Sequence, residues 1–191
     1  MPRPIRNRPL TTESQAGLRR FFQHMVAPSF GMLGLQSREL IDYVTRLLSD
    51  FARTDELYRI RDARGRRLET VAAMLLELMR AWNSAVPYRY EREVEVRRHC
   101  GDYTLFMSGL FRAHLEAESL LDYYLEQGQQ AYGIVAERME MTMSPQASVF
   151  KALAAEFESV SGALDYMRKV YMRPGQRTGP YEDLLRQLDL N

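Results

Sequence analysis

The sequence predicts an all-α fold, a compact multi-helix bundle of six to seven helices in a single domain, and three observations carry that prediction. Apolar residues recur three and four positions apart in one segment after another, the spacing of a single buried helical face. Glycine, proline and capping residues punctuate those segments and leave short connections. No run alternates apolar and polar residues for long enough to make a half-buried strand. A chain of 191 residues can bury roughly 70% of its unfolded surface in one core. Residues 11–191 are expected to form that domain behind an extended arm, residues 1–10, where Arg3, Arg6 and Arg8 stand among Pro2, Pro4 and Pro9.

Taken in order, Thr12 and Gln15 have capping-box spacing, and a first helix carries Phe21, Phe22, Met25 and Val26 as far as Pro28. Ser29 to Gln36, with two glycines, reads as a loop. Ser37 is the expected N-cap of a second helix that aligns Leu40, Ile41, Val44, Leu47, Leu48 and Phe51 on one face. The stretch from Arg59 to Arg67 holds five arginines around Gly65, lacks apolar periodicity and reads as a turn. A third helix is expected to bury Leu68, Val71, Ala72, Leu75, Met79 and Trp82 before Pro87 breaks it. From Tyr88 to Arg98 arginine and glutamate interleave, with Glu93 and Arg97 an attractive i,i+4 pair, which predicts a solvated helix leading into the apolar segment Tyr103 to Phe111. A fifth helix is expected over Glu116 to Met139, with Gly128 on its apolar stripe marking a close helix crossing. Ser144 followed by Pro145 has the order of an N-cap and first helical residue, and the sixth helix then aligns Val149, Phe150, Leu153, Phe157, Val160, Leu164, Met167 and Tyr171. A short amphipathic tail, Tyr181 to Leu190, is a candidate seventh helix.

Charge and cysteine usage exclude several classes of function. Lys and Arg number 26 against 25 Asp and Glu, so no global field gathers nucleic acid or anionic lipid. One cysteine, Cys100, excludes an intramolecular disulfide and a multi-thiolate zinc site, and points to the cytoplasm. No apolar stretch follows the N-terminal arginines as a secretory signal requires. The longest apolar run, Val71 to Met79, is interrupted by Glu77 and is too short to span a membrane.

The segment His99-Cys100-Gly101-Asp102-Tyr103-Thr104-Leu105-Phe106-Met107-Ser108-Gly109-Leu110-Phe111 resembles a stretch shared by a family of uncharacterised bacterial all-α proteins. Leu57 to Leu76 and Glu156 to Tyr171 are similar to further parts of that family, while Arg112-Ala113 stands where the family pattern has Pro-Glu. The resemblance implies a helical fold, and no activity is attached to it.

Within that segment His99 and Asp102 lie three residues apart, on the same side of a continuous helix as Phe106 and Leu110. An imidazole beside a carboxylate in an apolar wall suits a ligand pocket, with Tyr124 as a further polar lining residue. The competing reading makes Gly101 a helix break and Asp102 a local N-cap. Glu95 and His99 are one residue too far apart for the Glu-x-x-His pattern of di-iron bundles, so neither metal nor cofactor is expected. The arginines at 59, 61, 64, 66 and 67 offer phosphate donors, but Asp55, Glu56, Asp62 and Glu69 offset them, and nucleic acid is the least favoured partner. Cys100 has no accompanying redox or nucleophile motif and reads as packed. On the back of the sixth helix Ala155, Ser159, Gly162 and Tyr166 form a row of mostly small residues, a candidate surface for a homodimer or another close contact. These observations favour a non-enzymatic protein that acts by association with itself or with another bacterial protein. The alternatives are a small-molecule-binding bundle or enzyme with a pocket polarised by His99 and Asp102, and nucleic-acid binding through the Arg59 to Arg67 turn.

Overall fold

A computed structural model describes residues 12–52, 54–81 and 86–172. Among these the chain forms nine helices in place of the six or seven expected, and its one β-type pairing is an isolated antiparallel bridge between Arg61 and Arg67. The helices are α1 (Thr12–Met32), α2 (Arg38–Phe51), α3 (Thr54–Leu57), α4 (Val71–Ala81), α5 (Val86–Leu110), α6 (Arg112–Ala117), α7 (Leu121–Met141), α8 (Ala147–Ala155) and α9 (Phe157–Tyr171). The N-terminal arm, Trp82 and the Tyr181 to Leu190 tail lie outside the described residues. No helix among those described is long and apolar enough to cross a membrane.

The extra helices arise where single periodic stretches divide. The expected sixth helix is interrupted at Glu156, where φ is −113° and ψ 20°, so its apolar face is shared between α8 and α9. That face is buried as the spacing predicts, through Val149, Phe150, Leu153, Phe157, Val160, Leu164 and Met167. The expected fifth helix is likewise cut by Ser119, which holds a left-handed φ of 57° and separates α6 from α7. Ser144 opens a turn, and helical geometry begins at Ala147, two residues beyond Pro145.

Ser37 caps α2 as expected, its Oγ accepting from the Leu40 amide at 3.4 Å. The loop expected after Pro28 is replaced by helix: α1 carries Pro28 internally and continues to Met32. Proline removes one donor from the helical ladder, but Val26, Phe30 and Leu35 are buried on both sides of it and hold that end on the core. In α4 the expected face is displaced. Met74, Glu77, Leu78 and Ala81 are buried, whereas Met79 is 69% exposed; apolar residues stand on several sides of the helix, and Glu77 is drawn inward to Arg92 of α5 at 2.8 Å.

The largest correction concerns α5. Its charged half is only partly solvated, with Glu91 and Glu95 exposed but Glu93 buried and Arg92, Arg97 and Arg98 half-buried, and Pro87 lies in its first turn, not between two helices. From His99 to Phe111 every residue is buried, and α5 is the central helix, packing chiefly against α7 and also against α9 and α4. Glycines make that contact close. A Cβ at Gly128 would lie 2.1 Å from Phe157 Cζ and 2.5 Å from Thr104 Oγ1, which places the expected crossing of α7 with α5 and α9 at that residue.

Candidate functional site

Burial of Glu93 on α5 and of Glu77 on α4 is tolerated because each finds an arginine on another element. Glu93 accepts from Arg97 at 3.4 Å, the predicted i,i+4 pair, and from Arg138 of α7 at 3.0 Å. Glu77 of α4 is held by Arg92 at 2.8 Å, and Arg92 also reaches Glu95 at 2.7 Å. One turn further along α5, Arg98, His99 and Asp102 face the junction of α2, α7 and the loop after α3.

Asp102 is buried, and its Oδ1 accepts two hydrogen bonds, from the Tyr43 hydroxyl at 2.6 Å and the Tyr132 hydroxyl at 2.7 Å. Gly101 makes the second bond geometrically accessible. A Cβ there would come within 2.7 Å of the Tyr132 ring, so the absent side chain lets the tyrosine lie against α5. The helix is continuous through Gly101, which overturns the reading of a break with Asp102 as an N-cap. Burial pushes the Asp102 carboxyl upward from the usual carboxylate range, opposed by the tyrosine hydrogen bonds and by Arg98 and Arg59. Burial, and then the Asp102 charge, push both tyrosine hydroxyls well above their ordinary value, so they act as donors. Arg98 donates from Nε to the Tyr43 oxygen at 3.3 Å, and its guanidinium lies 5.6 Å and 5.5 Å from the ring centroids of Tyr43 and Phe150.

His99 has a different task. Its Nε2 lies 3.1 Å from the Leu57 carbonyl and must donate there, since a carbonyl only accepts. The remaining Nδ1 accepts from Arg59 Nε at 3.4 Å, a long and weak contact. Burial, then the Arg59 charge, lower the imidazole pKa to about 4, against the favourable Leu57 hydrogen bond. A neutral histidine with both nitrogens engaged positions Arg59 and ties α5 to the end of α3. The spacing that puts His99 and Asp102 on one side of α5 therefore does not join them; each is bonded to other residues.

Asp102, Tyr43, Arg98 and Arg59 line a cleft of about 210 Å³ together with Arg46, Asp50 and Glu56. Both tyrosines bond to Oδ1, and among the described residues no side chain bonds to Asp102 Oδ2. Neither Arg59 nor Arg98 forms an ion pair with a carboxylate among the described residues. Such a cleft can hold an anion beside two guanidinium groups.

Tyr124 does not line this cleft. It packs against Tyr103 with centroids 6.2 Å apart and against Tyr123 at 6.0 Å, in a separate tyrosine cluster. The arginine segment is a turn, with Gly65 at φ +77°, but its arginines are divided among separate partners. Asp62 accepts from the Arg64 and Arg66 amides and from Arg66 Nε, each at 2.9 Å, and the Arg66 backbone bond leads the causes that hold its carboxyl low. Arg67 lies 3.6 Å from Asp55, and Arg61 donates to the Gly65 carbonyl at 2.9 Å. Cys100 is buried, and burial pushes its thiol up to about 12, so it packs as a protonated thiol. Ala155, Ser159 and Tyr166 are exposed, and a Cβ at Gly162 would meet nothing within 4 Å, so no described element of the chain covers that row. Among the described residues no group of three His, Cys, Asp or Glu side chains is placed to hold a metal.

Sequence reasoning missed Tyr43, Arg98 and Tyr132 as partners of Asp102. Tyr43 follows Leu40 by three on the apolar face of α2, a position that a core aromatic occupies equally well. The one signal for Tyr132 was the glycine beside Asp102. No family model, curated protein or solved structure matches the chain.

Proposed function

We propose that this chain is a small-molecule-binding helical protein whose ligand presents a carboxylate or phosphate to Arg59 and Arg98 above Asp102. The observation that carries the reading is a cleft lined by two arginines that no carboxylate among the described residues pairs, with a buried acid beside them. The lining carries Arg46, Arg59 and Arg98 beside Asp50 and Glu56, and burial raises the Asp102 carboxyl from its ordinary value, which weakens the negative charge that opposes the arginines. Guanidinium forks suit planar carboxylates and phosphates, and partial enclosure strengthens the attraction. On this reading the chain is one soluble cytoplasmic domain, His99 positions Arg59, and the tyrosine pair fixes Asp102. The likeness of residues 99–111 to an uncharacterised bacterial family is compatible with this reading and adds no chemistry to it.

The test is thermal unfolding against a panel of small carboxylates and phosphates. A ligand present at a hundredfold excess over its dissociation constant stabilises the fold by about 2.7 kcal/mol. Wild type is expected to respond, Arg98→Met to lose the response, and Asp102→Asn to keep its helical signal with altered affinity. An equal response from Arg98→Met would remove the cleft as the site.

A second reading, self-association, rests on the uncovered row Ala155, Ser159, Gly162 and Tyr166. Sedimentation velocity should show a dimer that Gly162→Arg converts to a monomer with its helical signal intact. A wild-type monomer at high concentration removes that reading and leaves the cleft untouched.

A further inference from the structure

Arg59 and Arg98 line a second space, a groove of about 740 Å³ between the N-terminal half of α5 and the C-terminal end of α7. Its walls are chemically uneven along their length. Val94, Met139 and Met141 supply an apolar surface, and unbranched methionines adapt to irregular apolar ligands. Of the charges beside them, Glu91 is exposed on the rim, and Arg138 and Glu95 are engaged. Arg138 donates to Glu93 at 3.0 Å and lies 5.1 Å over the Tyr90 ring, and Glu95 is bonded to Arg92 at 2.7 Å. Positive charge outside carboxylate ion pairs is therefore concentrated at the end where the groove meets the polar cleft, on Arg59 and Arg98. The volume lies within the roughly 300–1,000 Å³ typical of small-molecule sites.

We propose that the ligand is a single amphipathic acid, its carboxylate or phosphate held by Arg59 and Arg98 and its apolar body lying along Val94, Met139 and Met141. This rests on the reading of the cleft as an anion site and specifies what the anion is attached to. A headgroup alone fills the polar cleft and leaves the groove to water. An apolar molecule alone supplies no anion to the two guanidinium groups, which no carboxylate among the described residues pairs.

The experiment is calorimetric titration of the full chain with hexanoate, octanoate and decanoate and with alkyl phosphates of matching length, all below their critical micelle concentrations. Acetate and inorganic phosphate serve as headgroup-only probes, and decyltrimethylammonium as the cationic counterpart. Affinity is expected to rise about fourfold for each methylene added until the groove is filled, and decanoate to bind at least about a hundredfold more tightly than acetate. Arg98→Met should weaken every anion, whereas the uncharged Met139→Gln should flatten the dependence on chain length and leave the headgroup probes unchanged. Val94→Asn serves the same purpose if Met139→Gln loses its helical signal. Equal affinity for acetate and decanoate overturns the amphipathic ligand and leaves the anion site standing. Equal affinity for decanoate and decyltrimethylammonium overturns the role of the arginines, and the absence of binding by any anion removes both proposals. Binding to anionic vesicles without binding to the monomeric acids assigns the surface to a membrane and also overturns the inference.

Discussion

Acidification reaches an imidazole that the fold keeps neutral. His99 is fully buried, donates to the Leu57 carbonyl and accepts from Arg59, so a second proton on the ring would break the arginine contact and set two positive charges together. Its pKa falls from 6.5 to about 4 on folding, first through burial and then through Arg59. The unfolded chain therefore binds this proton before the folded chain does. The His99 contribution to stability is complete above pH 6.5 and is lost as pH falls toward about 4. At about 1.4 kcal/mol for each pH unit, the loss across that window is roughly 3 kcal/mol. Asp102 acts in the opposite sense, because a carboxyl raised by folding favours the folded state as pH falls, so the wild-type profile is the sum of two opposing slopes. The comparison that isolates His99 is wild type against His99→Gln, whose amide can still donate toward Leu57. Urea unfolding followed by far-ultraviolet circular dichroism should show the wild type losing roughly 3 kcal/mol relative to the variant between neutral and acidic pH. Profiles that stay parallel to within about 0.5 kcal/mol would show that this buried imidazole protonates as freely in the folded chain as in the unfolded one.

Two glycines in helices should respond oppositely to alanine. Gly162→Ala meets open space and should stabilise the chain by about 1 kcal/mol. Gly128→Ala presses on the Phe157 ring and on Thr104 Oγ1, which is itself held by the Cys100 carbonyl at 2.8 Å, and should cost about 1–2 kcal/mol net; equal effects at the two sites would refute the close crossing. Arg92→Met strands Glu77, whose side chain is 8% exposed, and should cost about 3–5 kcal/mol, most of it recovered in Arg92→Met/Glu77→Leu. An additive double variant in denaturant titrations would show that the pair is not coupled. Cys100, with its thiol pushed up to about 12 by burial, should stay inert to a thiol-specific chromogenic reagent at neutral pH until the protein is unfolded; prompt labelling of the native chain would contradict the packing.

Some elements were legible because their information is local. Ser37 caps α2 through its own third neighbour, and the face of α2 is written by residues three and four apart. The same holds for the apolar face from Val149 to Met167, for the Glu93 and Arg97 pair and for the turn around Gly65. Other decisions needed partners distant in sequence. Whether the charged half of α5 faced water depended on Arg138, which lies 45 residues from Glu93, and on the 15-residue separation of Arg92 and Glu77. Without those partners a glutamate-rich helical face is correctly read as solvated, because an unpaired buried charge is costly. The inward stripe of α4 was set by its neighbours, since apolar residues stand on several of its sides and Glu77 can turn inward only where Arg92 of α5 meets it. For the candidate site, the sequence by itself determined that His99 and Asp102 share a side of one helix. Only the tertiary structure decided that Asp102 meets Tyr43 and Tyr132, 59 and 30 residues away, while His99 turns to Leu57 and Arg59. Helical periodicity specifies which direction a side chain points, but hydrogen bonds are made to whatever group packing brings within about 3 Å, and that is a property of the assembled bundle.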